Sequence, residues 1–315
     1  MISNILRRSR GAKLVQSQSR AFTTAKLREY WNDFSDDYVK GTEYYTLPVG
    51  LDLYALTSAH LSGSVVETGA GSGTASSIFA TYMQKEKSHF VTCDLSDTMV
   101  EKMEKRYSSL ASNYDSINYS KLTRGEAQDM NFTDCDTNSK NIYSLRSSNE
   151  DLPFKDNQFD AYVSTFCLNI VNDPIKMLTE AHRILKPHGK VGVSLWGRRS
   201  ESPYFALLPK ILKRNGAEFP EQKSYFHMEG KVCEFMNTAG FKDIKNVQRL
   251  IYINQDSAKV LRSLISSPFY RKVAKINPEE VINASIEEFL STFDEMFTKK
   301  NKMIHFEADI CVATK

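Results

Sequence analysis

One stretch decides the fold: Val65-Val66-Glu67-Thr68-Gly69-Ala70-Gly71-Ser72-Gly73-Thr74-Ala75. The apolar residues that end on Glu67 predict a short buried strand, and the glycines predict a turn before a helix from about Thr74 to Gln84. Glycine accepts positive φ and lets a ligand approach the main chain closely. A helix start also offers unpaired N–H groups and the positive end of the helix dipole. The pattern therefore predicts a turn that binds a nucleotide-like cofactor.

The spacing of the glycines separates two classes of cofactor. A dinucleotide fingerprint reads G-x-G-x-x-G, whereas here the third residue after Gly71 is Thr74. This departure disfavours an NAD-dependent oxidoreductase. The pattern E-x-G-x-G-x-G instead resembles motif I of the class I S-adenosylmethionine-dependent methyltransferases.

A second run, His89-Phe90-Val91-Thr92-Cys93-Asp94-Leu95-Ser96, predicts the next strand and ends on an acid. Asp94 follows Glu67 by 27 residues, about the length of one strand–helix–strand crossover. A carboxylate at this place accepts hydrogen bonds from ribose hydroxyls. Ser96 is a typical N-cap for a following helix. We therefore interpret Asp94 as the ribose ligand.

A third block begins at Asn149-Glu150-Asp151-Leu152-Pro153-Phe154 and continues through Asp173-Pro174 to Lys186-Pro187-His188-Gly189. It resembles the corresponding block of methyltransferases related to ubiquinone and menaquinone biosynthesis enzymes, the type 11 group. His188 departs from the pattern because it replaces the first of two glycines. The resemblance covers roughly residues 30 to 200 and implies S-adenosyl-L-methionine as the cofactor.

The same resemblance implies a set of cofactor ligands. The methionine end of the cofactor is expected at Glu67, Gly69, Gly71 and Gly73, the ribose at Asp94, and the adenine against Leu95, Asn149, Glu150 and Asp151. Thr165 and the residues up to Asn169 are expected to flank the sulfonium and the substrate. Tyr38, from an aromatic-rich segment before the first strand, is the candidate to close over the methyl donor.

Two segments of the sequence could supply the loop that contacts the adenine. Residues 125–132 carry a fainter copy of the adenine-loop pattern, so 126–128 compete with 149–151 for the adenine. We favour 149–151, because Leu152-Pro153-Phe154 leads directly into the fourth strand.

The sequence predicts no particular catalytic base. Cys167, Asn169 and His227 are the substrate-side candidates, and His60 and Glu43 are further candidates for a base. The five cysteines are scattered, and no His/Cys cluster has metal-ligand spacing, so no metal site is expected.

The expected fold class is α/β: a doubly wound, seven-stranded, mostly parallel Rossmann-like sheet with an antiparallel last strand and a helical insertion. Residues 29–253 are assigned to the core, 254–305 to the helical insertion, and 306–315 to the final strand. The insertion is interpreted either as a substrate lid or as an interface, which leaves a monomer and a homodimer open.

Residues 1–28 carry seven Arg or Lys residues and no acid, and the first carboxylate is Glu29. This composition predicts a mitochondrial transit peptide, with a basic tail on a cytoplasmic protein as the alternative. No apolar run reaches the ~18 residues of a membrane helix. A net charge of +3 gives no case for nucleic-acid binding.

The sequence thus predicts a methyltransferase that methylates carbon or oxygen of a small molecule, lipid-like or quinone-like. A non-catalytic binding subunit with the same fold is the alternative from another class. Such subunits usually lack the glycines of the turn or the acids at the strand ends, and this sequence has both.

Overall fold

The structure is a computed structural model that describes residues 23–135, 137–218, 230–253, 259–261, 268–300 and 302–315. Its helices are α1 Thr24–Gly41, α2 Glu43–Leu56, α3 Thr74–Tyr82, α4 Asp97–Asn113, α5 Arg124–Asp129, α6 Pro174–Ile184, α7 Pro203–Arg214, α8 Lys231–Thr238, α9 Pro268–Ile276 and α10 Glu279–Phe293. Its strands are β1 Ser64–Thr68, β2 Ser88–Asp94, β3 Ile117–Leu122, β4 Lys140–Arg146, β5 Phe159–Ser164, β6 Leu185–Trp196, β7 Lys242–Ile253 and β8 Ile304–Thr314.

The strands described form one sheet in the order β3-β4-β2-β1-β5-β6-β8-β7. Only β8 runs antiparallel to its neighbours, β6 and β7. The chain leaves β1 toward one edge through β2 and returns to β5 on the other side. Open α/β sheets bind ligands at the carboxyl ends of the strands beside such a reversal. The loops after β1, β2 and β5 therefore meet where a ligand site belongs.

The expected fold class is confirmed, but the predicted count of seven strands is wrong, because the sheet has eight. Two parallel strands, β3 and β4, follow α4, and the short helix α5 connects them. The outer strand, β3, is mostly solvent-exposed and carries Asn118, Ser120 and Lys121 between its apolar residues. An edge strand so polar lacks the apolar run by which a buried strand is recognised.

Helix boundaries follow from capping side chains. Thr23 accepts a hydrogen bond from the N–H of Lys26 at the start of α1, and Ser96 accepts one from Met99 at the start of α4. Asp173 caps α6, whose first residue is proline. Helix α1 thus begins at Thr24, within the segment 1–28 that the sequence assigns to the basic tail. Residues 1–22 lie outside the described part.

Two apolar layers cover the sheet, one on each face. Helices α2, α3, α4, α7 and α10 contribute to the first layer, and α5, α6 and α8 contribute to the second. Both β1 and β2 are buried along their whole length, as expected for strands covered on both faces. The sequence places the last strand at 306, whereas β8 begins two residues earlier at Ile304.

Helices α9 and α10 form the described part of the insertion before β8. Helix α10 packs on α7, where Asn215 donates a hydrogen bond of 3.1 Å to the hydroxyl of Ser285. None of the helices in the described ranges combines the length and the apolarity needed to cross a membrane.

Candidate cofactor-binding site

The turn after β1 is built on three glycines in the left-handed region. Gly69, Gly71 and Gly73 have φ of 65°, 59° and 78°. A Cβ on Gly69 would collide with the Sγ of Cys167, and one on Gly73 would lie 2.6 Å from the hydroxyl of Tyr107. Glycine is therefore required both by the backbone conformation and by the space beside it.

Asp94 ends β2 directly beside this turn. Its carboxylate accepts hydrogen bonds of 2.9 Å from the backbone N–H of Gly71 and of Ser96. Burial raises the pKa of Asp94 to about 6, although the backbone N–H groups oppose that rise. A carboxylate has about four lone-pair sites, so capacity remains for ribose hydroxyls.

Glu67 ends β1 on the other side of the turn and is only 3% exposed. The hydroxyl of Tyr54 donates a hydrogen bond of 2.5 Å to its carboxylate, and the hydroxyl of Ser76 donates another. Burial raises the pKa of Glu67 to about 7, against the lowering effect of these two donors. Neither partner was predicted from the sequence, although Ser76 is a polar residue in the first turn of α3.

Helix α1 lies over the glycine turn and is tied to α4. A Cβ on Gly71 would lie 3.5 Å from the Tyr38 ring. The hydroxyls of Tyr38 and Thr46 are joined by a hydrogen bond of 2.9 Å. Thr46 uses its own hydrogen to donate to the carbonyl oxygen of Glu43, so Tyr38 is the donor to Thr46. Asn32 accepts a hydrogen bond of 2.8 Å from Ser96. Tyr38 thus lies at the glycine turn, and its closure over the methyl donor stays a prediction.

The loop 147–151 lies beside the end of β2, since Ser147 donates a backbone hydrogen bond of 2.9 Å to Asp94. Within this loop Asn149 is buried and its amide nitrogen lies 3.4 Å from the Cβ position of Gly69. The Glu150 carboxylate instead accepts the backbone N–H of Asp173, and Asp151 pairs with Arg124. Of the three predicted adenine-side residues in this loop, only Asn149 has its side chain at the glycine turn.

The competing copy of the loop occupies a different position. Glu126 closes a capping box with Thr123 at the solvent-exposed start of α5. Its carboxylate accepts the Thr123 N–H at 2.7 Å. Leu95 is half-buried and follows Asp94 directly, which keeps it beside the turn.

The loop after β5 supplies the other wall. Phe166 has φ of 55°, unusual for a bulky residue, and stacks on Trp196 with ring centroids 3.8 Å apart. The Thr165 hydroxyl and both amide atoms of Asn169 are buried without a hydrogen-bond partner among the residues described. Burial raises the pKa of Cys167 to about 12, so its thiol stays neutral and is a poor nucleophile.

The remaining candidates for a base differ in their position relative to the glycine turn. His227 lies outside the described residues. His60 precedes β1, at the amino end of the parallel strands and thus opposite the glycine turn. Glu43, in contrast, borders the site. No group of three or more His, Cys, Asp or Glu residues within the described ranges is placed to hold a metal ion.

A small cavity of about 30 Å³ marks the centre of this arrangement. It is lined by Tyr38, Glu43, Thr46, Leu47, Gly50, Glu67, Gly69, Ala70, Thr74, Ala75 and Thr165. The volume holds about one water molecule. The carboxylates of Glu43 and Glu67 and the unpartnered hydroxyl of Thr165 line this cavity, which suits a ligand group that carries positive charge and hydrogen-bond donors.

Comparison with known proteins agrees with this geometry. Residues 66–193 match the family described as "Methyltransferase domain". Residues 66–193 therefore resemble a methyltransferase domain. The predicted fold class and the predicted resemblance to methyltransferases are thereby confirmed, and the family match supports S-adenosyl-L-methionine as the cofactor.

Two relatives are named as methylating enzymes of ubiquinone, menaquinone or benzoquinol compounds. A ubiquinone/menaquinone biosynthesis C-methyltransferase of Geobacter sp. (strain M21) is 32% identical over 110 residues, which cover 31% of this chain and 47% of that protein. The mitochondrial 2-methoxy-6-polyprenyl-1,4-benzoquinol methylase of Mus musculus is 32% identical over 116 residues, covering 33% and 35%.

The chain spans about half the length, or less, of the curated relatives that it matches. Among solved structures, an S-adenosylmethionine-dependent methyltransferase of Thermotoga maritima aligns with a TM-score of 0.49 at 18% identity. That alignment covers 92% of this chain and 99% of the other.

Proposed function

We propose that this protein transfers the methyl group of S-adenosyl-L-methionine to carbon or oxygen of a small-molecule acceptor. The observation that carries the proposal is the three-glycine turn held between two buried carboxylates, Glu67 and Asp94, within the methyltransferase domain. When bound, the cofactor supplies an electrophilic methyl group on a sulfonium. Glu67 and the glycine turn would hold its methionine end, and Asp94 its ribose.

The acceleration would come mainly from positioning and from exclusion of water. In-line displacement depends on alignment of the reacting atoms and on desolvation. Tyr38 and helix α1 cover the turn from one side, and the stacked rings of Phe166 and Trp196 close the other. The unpartnered hydroxyl of Thr165 lines the cavity and is available to a ligand.

An apolar ring acceptor is the substrate class that we favour. Phe205 and Phe306 both pack on Trp196, with ring centroids 4.8 Å and 4.7 Å away. This aromatic cluster lies at the carboxyl end of β6, where Phe166, stacked on Trp196, connects it to the loop that carries Asn169. The Geobacter relative is named a ubiquinone/menaquinone biosynthesis C-methyltransferase and the mouse relative a benzoquinol methylase, and these names support a quinone-like acceptor.

Helices α9 and α10 of the insertion are proposed to roof this acceptor side. Helix α7 carries Phe205 against Trp196, and α10 packs on α7.

We further propose a mitochondrial location, from the basic composition of residues 1–28 and from the mouse relative, which is named as mitochondrial. Import of the full chain into isolated mitochondria tests the location. Exclusion from mitochondria would overturn it and leave the cytoplasm.

Calorimetric titration of the full chain with S-adenosyl-L-methionine and S-adenosylhomocysteine tests the proposal. We expect micromolar binding that the variant Asp94→Ala loses. Screening with quinone-like and lipid-like acceptors then follows product formation by mass spectrometry. A folded protein that binds neither compound would overturn the proposed function. Binding without turnover of any acceptor would favour the non-catalytic binding subunit.

A further inference from the structure

The cofactor cavity has a second carboxylate, which lies outside the residues matched by the methyltransferase domain family. Glu43 is the first residue of α2 and lines the same cavity as Glu67 and Gly69. Its side chain is 13% exposed. A negative charge in the first turn of a helix is favoured by the helix dipole, so this position suits a carboxylate.

Glu43 is held from two sides. The hydroxyl of Ser72, a fully buried residue of the glycine turn, donates to one carboxylate oxygen of Glu43. Arg106 of α4 approaches the other oxygen, with Nη2 3.3 Å away. These contacts join α2 to the turn and to α4. The carboxylate is thus placed before any ligand arrives.

The charges around the cavity are unbalanced. Among the described side chains that line it, Glu43 and Glu67 are the carboxylates and none is cationic, since Arg106 reaches Glu43 from outside the lining. Carboxylates only accept hydrogen bonds, and each has lone pairs beyond those used by its present donors. The cavity therefore suits a cation that carries N–H groups.

We propose that Glu43, together with Glu67, binds the α-ammonium at the amino-acid end of S-adenosyl-L-methionine. Ser72 and Arg106 act as positioning residues for Glu43. The inference rests on the proposed function. An ammonium group has N–H donors to offer two carboxylates, whereas the sulfonium has none. The cavity also reaches Thr74 and Ala75 at the start of α3, while Asp94 does not line it.

Three ligands separate the alternatives when Glu43→Gln is titrated by calorimetry. S-adenosyl-L-methionine has both cations, S-adenosylhomocysteine keeps only the ammonium, and 5′-methylthioadenosine lacks the amino-acid end. We expect the variant to bind the first two about 10- to 100-fold more weakly, the usual loss for a charge-assisted hydrogen bond. Its affinity for 5′-methylthioadenosine should stay within about twofold of the unaltered protein, a change of only ~0.4 kcal/mol.

Two further variants complete the test. Glu104→Gln removes another carboxylate that forms an ion pair, with Lys121, away from the cavity, and should leave all three affinities unchanged. Arg106→Gln should show the same ligand pattern as Glu43→Gln with a smaller loss. Thermal unfolding of each variant establishes that it is folded at the titration temperature.

The contrary outcomes are distinct. An equal loss for all three ligands would mean a structural role for Glu43, and a loss confined to S-adenosyl-L-methionine would mean contact with the sulfonium. Either result, or no change at all, overturns the inference while the proposed function stands. If the unaltered protein binds none of the ligands, the proposed function fails and the role of Glu43 fails with it.

Discussion

Tyr54 donates a hydrogen bond of 2.5 Å to Glu67, which binds helix α2 to the end of the first strand at the base of the cofactor site. The ring of Tyr54 stacks on Phe79 with centroids 3.9 Å apart, so the donor is fixed by packing. A buried carboxylate with neutral donors is poised to receive a cation. The same burial makes its ionisation unfavourable in the protein without a ligand.

The pH dependence of stability should therefore carry a signature of Glu67. Its folded pKa of about 7 lies above the ordinary value of 4.5, so the native state binds more protons between these values than the unfolded state. Stability from this group is present below about pH 4.5 and is lost as pH rises toward 7. The loss is about 3 kcal/mol.

The variant Glu67→Gln cannot ionise and should lack this loss. Between pH 4.5 and pH 8, the free energy of unfolding of the variant should gain about 3 kcal/mol relative to the unaltered protein. Urea unfolding at the two pH values measures the difference. Glu126→Gln, at an exposed capping box, is the control and should show no such gain. A parallel pH profile for Glu67→Gln and the unaltered protein would contradict the prediction.

The sequence predicted the site best where a residue type is required by local backbone or by chemistry. The three glycines, Glu67 and Asp94 are such residues, and the structure brings them together at one turn. Ser76, Tyr54 and Glu43 reach the site through packing of α2 and α3, which no local pattern encodes. Strands β3 and β4 were not assigned from the sequence, and β3 lies at a sheet edge, where burial demands little of its sequence.

Asn169 should contribute to function at the expense of stability. Both atoms of its amide are buried without a partner in the described ranges, and such groups cost about 1–3 kcal/mol each. We expect Asn169→Leu to raise the free energy of unfolding or leave it unchanged, and to reduce methyl transfer at least about tenfold, ~1.4 kcal/mol. Urea unfolding and product formation with an acceptor found by screening measure the two effects.

The matched control is Asn215→Leu. The Asn215 amide donates to Ser285 and to Glu288, so its replacement should lower stability by about 1–3 kcal/mol. If Asn169→Leu destabilises the protein as much as Asn215→Leu does, Asn169 has a structural role and the prediction is wrong.

The backbone at His188 is strained, and replacing this residue by glycine should relieve the strain. It stands where the resembling methyltransferases have glycine, and it keeps φ of 65°. The left-handed conformation costs a non-glycine residue about 1–2 kcal/mol. Glycine avoids this cost, but it loses more backbone entropy on folding, so only part of the cost becomes a gain in stability. His188→Gly should therefore be about 0.5–1 kcal/mol more stable than His188→Ala. Chemical denaturation of both variants checks this, and equal stabilities would contradict it.

Cys233 on α8 and Cys311 on β8 should be convertible to a disulfide. Their Sγ atoms lie 3.7 Å apart, and Cys233 is partly exposed, so a reagent has access. Diamide would accept the two electrons and two protons that the thiols release. Closing the chain between these cysteines should stabilise the protein by about 2–4 kcal/mol. Titration of free thiols should fall from five to three, with a higher unfolding midpoint that dithiothreitol reverses. Cys233→Ser should retain its four thiols under the same treatment. If the unaltered protein also kept all of its thiols, the two sulfurs would not meet in solution as they do here.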